Sequence, residues 1–138
     1  MAPRVWTRTR RTFAVAMAPR RKILVVEDDD NMREAISRLL DASGLENAVY
    51  ASAESLLALS TAEDAGCVVS DIRLPGMSGL DLLAEIKAQG RWPPLILVTA
   101  HDEPRLREEA ARLGAAAFLV KPFARDQLLG AILSAMGR

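Results

Sequence analysis

Five short apolar runs, each followed by a longer stretch of helical spacing, predict an α/β protein of (βα)5 type, a doubly wound three-layer sandwich around a parallel five-stranded sheet. Two further observations support this. The strand-like runs lack polar alternation, as strands buried on both faces do. With 138 residues, half of them hydrophobic, the chain suffices for one core and not for two of ordinary size. Right-handed crossovers then wind the helices onto both faces of the sheet.

The first strand is Ile23-Leu24-Val25-Val26, bounded by acids. Met32, Ile36, Leu39 and Leu40 follow at helical spacing until Gly44, a candidate C-terminal cap. Asn31 with Glu34 three residues later resembles a capping box, as does Ser78 with Asp81. Residues 48–51 predict a weak second strand and 52–61 a helix; residues 66–70 form the third strand and 78–89 the next helix. The fourth strand, 95–98, stands behind Pro93-Pro94. Leu106, Ala110 and Leu113 mark a helix closed by Gly114, and residues 117–120 are the fifth strand. Leu128, Leu129, Ile132, Leu133 and Met136 stripe the last helix. Cys67, the only cysteine, lies in the third strand, where it is expected to be a small buried residue.

The net charge is formally zero but unevenly spread. Seven of the eighteen Lys and Arg residues precede Ile23 and none of the eighteen acids do, so the rest of the chain carries an excess of seven negative charges. An acidic body argues against direct nucleic-acid binding, because affinity for duplex rests on Lys and Arg neutralising phosphates. No apolar stretch approaches the roughly 20 residues needed to span a bilayer. The lone cysteine fits a reducing compartment, and a cytoplasmic protein with no membrane association is expected.

Residues 1–20 are basic and contain proline, and Met17-Ala18-Pro19-Arg20 repeats Met1-Ala2-Pro3-Arg4. They read either as an Arg-rich targeting or nucleic-acid arm, or as an extension ahead of a true start at Met17. The second reading is preferred, with a disordered, dispensable tail over 1–20 and the folded domain over 21–138. The apolar part of the tail is too short for a signal-peptide core of about 7 to 15 residues.

In doubly wound sheets, ligands bind outside the carboxyl ends of the strands, where strand order reverses. The polar residues there are Glu27-Asp28-Asp29-Asp30 after the first strand, Asp71 after the third, Thr99-Ala100 after the fourth and Lys121-Pro122 after the fifth. Singly, each has a plain explanation: acids favour helix N-termini, threonine favours strands, and lysine is usually solvated. Jointly they imply more. Carboxylates about 4 Å apart repel by on the order of 4 kcal/mol at an effective dielectric near 20, which a divalent cation relieves. Oxygen-only donors suit Mg2+ or Mn2+, and no His or Cys cluster suggests zinc. Asp71 follows the central strand directly and precedes the turn Ile72-Arg73-Leu74-Pro75-Gly76, which leaves its carboxylate in the crevice, able to attack phosphorus. Thr99 offers a hydroxyl and Lys121 a point charge on a long stem.

From Lys22 to about Met136 the chain resembles the receiver domains of two-component systems. The motifs are Leu24-Val25-Val26-Glu27-Asp28-Asp29, Ser70-Asp71-Ile72-Arg73-Leu74-Pro75-Gly76-Met77-Ser78-Gly79, Val98-Thr99-Ala100 and Val120-Lys121-Pro122-Phe123. The resemblance implies the strand order 2-1-3-4-5 and Asp71 as phosphoacceptor. It implies a metal held by Glu27, Asp28, Asp71 and the backbone carbonyl of Arg73. Thr99, Ala100 and Lys121 become phosphate contacts. Glu27 stands where many relatives have Asp. Arg73 and His101, two residues after Asp71 and Thr99, fall at positions that tune phosphate lifetime, and Phe118 at the aromatic switch position often occupied by Tyr. His101 is otherwise read as an exposed loop residue, and Phe118 equally as simple packing.

The family's partners would be a histidine kinase or phosphotransfer protein as donor and a downstream target protein as output. Phosphate on Asp71 would draw Thr99 inward, make room for Phe118 and remodel the face of helix four, strand five and helix five, through which a dimer could form. Thr99-Ala100-His101-Asp102 and the Lys121-Pro122-Phe123 region resemble receivers of the nitrogen-fixation regulator type. A truncated receiver of such a DNA-binding regulator is therefore one alternative to the stand-alone receiver expected here. A small phosphohydrolase with Asp28-x-Asp30 as its nucleophile motif is the other. It would need a cap that 138 residues barely accommodate. A switch, by contrast, catalyses only its own phosphorylation and dephosphorylation.

Overall fold

β-branched and leucine-rich runs become the five strands of one parallel sheet in the computed structural model, which describes residues 21–137. In chain order the elements are β1 (Lys22–Val26), α1 (Asp30–Ala42), β2 (Asn47–Tyr50), α2 (Ala53–Leu59), a 3-10 turn (Ala62–Asp64), β3 (Ala65–Asp71), α3 (Gly79–Gln89), β4 (Leu95–Thr99), α4 (Pro104–Arg112), β5 (Ala117–Val120) and α5 (Arg125–Ala135). The sheet order is β2-β1-β3-β4-β5, every pairing parallel. The expected fold and strand order are those observed. Residues 1–20, read above as a tail, lie outside the described residues.

Alternation along each strand sorts side chains to two faces and so builds two cores. Leu24, Val26, Val68, Leu95 and Leu97 face one layer, packed with Leu56 of α2, Leu82, Leu83 and Ile86 of α3 and Ala110 of α4. Ile23, Val25, Cys67, Val69, Ile96 and Val98 face the other, closed by Ile36 and Leu40 of α1 and Leu128 and Ile132 of α5. Cys67 is fully buried, as expected, and its thiol is pushed up to about 12 by loss of hydration.

Two local expectations need correction. Helix α1 is capped by Asp29, whose carboxylate accepts the Met32 N–H at 2.9 Å, and not by Asn31 with Glu34. Several adjacent residues here could cap, and Asp29 is the one with extended backbone; Asn31 already lies in the first turn. Helix α2 stops at Leu59, short of Thr61, because Ser60 turns extended and its hydroxyl donates to the Leu56 carbonyl at 2.6 Å. The box at α3 forms as read: the Ser78 hydroxyl accepts from Asp81 N–H at 3.0 Å and the Asp81 carboxylate from Ser78 N–H at 3.1 Å.

Candidate functional site

Because all strands run the same way, their carboxyl ends share one edge. The register sets Val26 beside Ser70, Asp71 beside Val98, and Thr99 beside Val120. Glu27 and Asp28 therefore emerge next to Asp71, with Thr99 and Lys121 on the far side. Lys121 is fixed there by its backbone, since its N–H donates to the Thr99 carbonyl at 2.7 Å.

Glu27 is 1% exposed and Asp71 7%, while Asp28 lies open to solvent. One carboxylate oxygen from each comes within 4.8 Å of the others, an arrangement that could hold a metal ion. Into this cluster reaches Lys121, its Nζ 2.6 Å from Glu27 Oε1 and 2.8 Å from Asp71 Oδ2. Three carboxylates against one ammonium leave a formal double negative charge, which a dication balances. The donors are all hard oxygens, the chemistry of Mg2+ or Mn2+ sites.

Burial lifts the Glu27 carboxyl above the ordinary carboxylate range, opposed by hydrogen bonds from Lys121 and from the Asp29 N–H. Burial also works against the Lys121 ammonium. Hydrogen bonds to Asp71 and Glu27 overcome it and hold the group above the usual lysine value. A cation pinned between two buried acids thus stays charged through the neutral range.

The turn after Asp71 is built around its backbone. Arg73 N–H donates to Asp71 Oδ1 at 3.3 Å, and the Ser70 hydroxyl donates to the Asp71 carbonyl at 2.9 Å. The Arg73 guanidinium reaches Glu103 Oε1 at 3.1 Å, joining the loop after β3 to the entry of α4. Between them opens a groove of about 720 Å3 lined by Asp28, Ile72, Arg73, Leu74, Pro75, Ser78, Leu80 and Leu106. Asp28 and Arg73, two of the residues expected at the metal, are part of its wall.

The remaining residues singled out from sequence take different places. Thr99 is fully buried, and its hydroxyl accepts the His101 N–H at 3.0 Å. Ala100 lies just beyond β4 and is exposed, as is His101. Phe118 is half-buried on β5, packed against the cluster that contains Leu97, its partner in register, with the Arg107 guanidinium 4.7 Å above its ring. Leu97 and Thr99 point to the same face, so Phe118 and Thr99 are near neighbours there. Glu27, Asp28 and Asp71 are brought into one cluster, and Lys121 bonds to Glu27 and Asp71; Phe118 and His101 are not part of it.

Sequence reading overlooked Lys121 bridging both acids at once, and two residues that shape the turn. Gly79 packs so closely on Asp71 that a Cβ there would fall 2.2 Å from the Asp71 carbonyl oxygen. Glu54, from α2, accepts the Met77 N–H at 2.8 Å. The paired glycines at 76 and 79, three apart and after Pro75, were the available signal for a tightly folded turn.

Known proteins are similar to this chain in sequence and fold. The family model described as the response regulator receiver domain matches residues 23–133. The transcriptional regulatory protein FixJ of Azorhizobium caulinodans is 42% identical over 114 residues, covering 83% of this chain and 54% of the relative. The chain therefore spans about half the length of that curated relative. A crystal structure of FixJ-N superposes with a TM-score of 0.78 at 31% identity, covering 86% of this chain and 94% of that one. The chemotaxis protein CheY4 of Vibrio cholerae gives 0.78 at 26% identity, covering 84% and 98%.

Proposed function

This chain belongs to the response regulator receiver domain family, and from that premise we propose that Asp71 is its phosphoacceptor, working beside a divalent metal ion in a switch that controls protein contacts. The reading is supported by one observation above all: the Asp71 carboxylate lies within hydrogen-bond reach of Lys121 and within one acidic cluster with Glu27 and Asp28, the last of which also lines an open groove.

Glu27, Asp28, Asp71 and the Arg73 carbonyl would hold Mg2+ or Mn2+. When bound, the ion would neutralise the crowded carboxylates and supply positive charge for the phosphoryl group being transferred. An Asp71 carboxylate oxygen forms the new bond to phosphorus as the bond to the donor nitrogen breaks. The electron pair leaves with that nitrogen, which takes up a proton. Lys121, already beside Asp71, offers its ammonium to a phosphoryl oxygen, and the Thr99 hydroxyl and the Ala100 backbone complete the contacts. Arg73 and His101, at the two rims, would set how readily water reaches the acyl phosphate.

The donor would be a histidine kinase or phosphotransfer protein, and the output a downstream protein reached through the face of α4, β5 and α5. Phosphate on Asp71 would draw Thr99 toward it and make room for its neighbour Phe118. The chain would turn over only its own phosphate, in the cytoplasm, with residues 21–138 as the working unit.

The test is uptake of labelled phosphoryl from acetyl phosphate. Wild-type protein should take up one phosphoryl group per chain with Mg2+ present, and both Asp71→Asn and chelation of the metal should abolish it. Uptake by Asp71→Asn at the wild-type rate would overturn the assignment.

A further inference from the structure

The turn that leads from Asp71 into α3 leaves Arg73, Pro75 and Gly76 exposed, and its course decides where the Arg73 carbonyl lies relative to Asp71 at the end of β3. Its two ends are tied together just past β3, where the Gly79 N–H donates to the Ile72 carbonyl at 2.8 Å. The middle of the turn is held from outside. Glu54, in the first turn of α2, extends Oε2 to the Met77 N–H at 2.8 Å, a contact that spans 23 positions of sequence.

The turn is shaped around this oxygen. Gly76 adopts φ +76°, and a Cβ there would come within 2.5 Å of Glu54 Oε2, so both its backbone and its missing side chain fit the carboxylate. The Met77 N–H, with the N–H of Glu54 itself, holds the Glu54 carboxyl below its usual range, so it is an anionic acceptor near neutrality. Helix α2 is in turn set independently by Ser52, whose hydroxyl accepts the Ser55 N–H at 3.1 Å, and by Leu56 in the core. A carboxylate on a seated helix thus grips the backbone of a turn whose Leu74 and Met77 side chains pack on the core, and fixes the amide that those apolar contacts leave without a partner of their own.

We propose that Glu54 is a positioning residue for phosphotransfer: it clamps the Met77 amide and so fixes the turn that presents Asp71 and the Arg73 carbonyl. This rests on the reading of Asp71 as phosphoacceptor. Glu54 touches neither the phosphoryl group nor the metal; it acts through the turn. Removing the clamp frees residues 73–77 to sample other conformations, each of which misplaces the carbonyl two residues after Asp71 and weakens the geometry the transfer needs.

The experiment compares Glu54→Ala, Glu54→Gln and Ser52→Ala with wild type. Two readouts are used: exchange of the Met77 amide with solvent, measured by NMR with no phosphodonor present, and the rate of phosphorylation by acetyl phosphate as Mg2+ is varied. Glu54→Ala should speed Met77 exchange and lower the phosphorylation rate at subsaturating Mg2+ by about tenfold, the factor that loss of one well-placed contact gives. Glu54→Gln retains a side-chain oxygen for the same amide and should keep most of the wild-type rate. Ser52→Ala removes the cap of α2 without touching the turn; it should lower the melting temperature and leave Met77 exchange and the rate near wild type.

Unchanged Met77 exchange in Glu54→Ala would overturn the clamp, as would a rate defect in Ser52→Ala equal to that of Glu54→Ala. Failure of wild-type protein to accept phosphoryl at all would instead overturn the reading of Asp71 and with it the catalytic consequence. The amide measurement would still decide whether the turn is clamped.

Discussion

The middle of the sheet and its β5 edge are built to different standards. Every residue of β4 is at most 1% exposed, whereas every residue of β5 is only half-buried. The helices follow suit. α3 sinks Gly79, Leu82, Leu83 and Ile86, while α4 buries Ala110 alone and carries a mostly charged surface. The site straddles this boundary, with Glu27 and Asp28 just past β1, Asp71 ending β3 and Lys121 arriving from the edge. Chemistry that needs fixed carboxylates is thereby joined to elements with little packing to hold them in one position, the arrangement a switch requires.

The largest effect that could break this contrast comes from truncating matched leucines. Leu82→Ala in α3 removes a fully buried side chain and should cost about 2 to 5 kcal/mol in urea denaturation. Leu106→Ala in α4, where the side chain is only partly buried against the same cluster, should cost less than half as much. Equal costs would mean that the α4 side is as firmly packed as the α3 side.

A second prediction concerns the thiol at the centre. Folded protein keeps Cys67 protonated up to about 12, while the unfolded chain loses that proton near 9. The unfolded state then binds fewer protons, so stability must fall as pH rises from 9 toward 12. The contribution of this one group is about 1 kcal/mol between pH 9 and 10. Urea titrations should show Cys67→Ala losing less stability over that interval than wild type. Equal losses would place the thiol in contact with water.

The smallest effect belongs to the edge. The Arg107 guanidinium covers the Phe118 ring and is itself paired with Asp102 at 2.7 Å. Arg107→Ala should cost only about 0.5 to 1 kcal/mol, yet amide exchange in α4 and β5 should rise selectively, with β3 and β4 unaffected. A uniform rise across the sheet would erase the distinction between centre and edge.

Much of the site could be read from sequence because the fold itself places it. Once five buried strands alternate with helices, the helical crossovers make the sheet parallel, and the residues that end the apolar runs must share one rim. Glu27, Asp28, Asp71, Thr99 and Lys121 are such residues. The cap of α1 was misread because several adjacent residues there can cap and the spacing does not choose between them; backbone geometry selected Asp29. The Glu54 clamp left no mark in the spacing, since its partner is a backbone amide and any residue at 77 except proline supplies one.

By itself, then, the order of apolar and polar residues determined the layers, the strand polarity and the rim on which charged groups gather, because burial periodicity and connection handedness act through the local chain. Only the folded molecule decided which oxygen Lys121 approaches, how far Phe118 is buried, and which helix holds the Asp71 turn. Those depend on distances between segments far apart in sequence, and such distances are set when the layers pack.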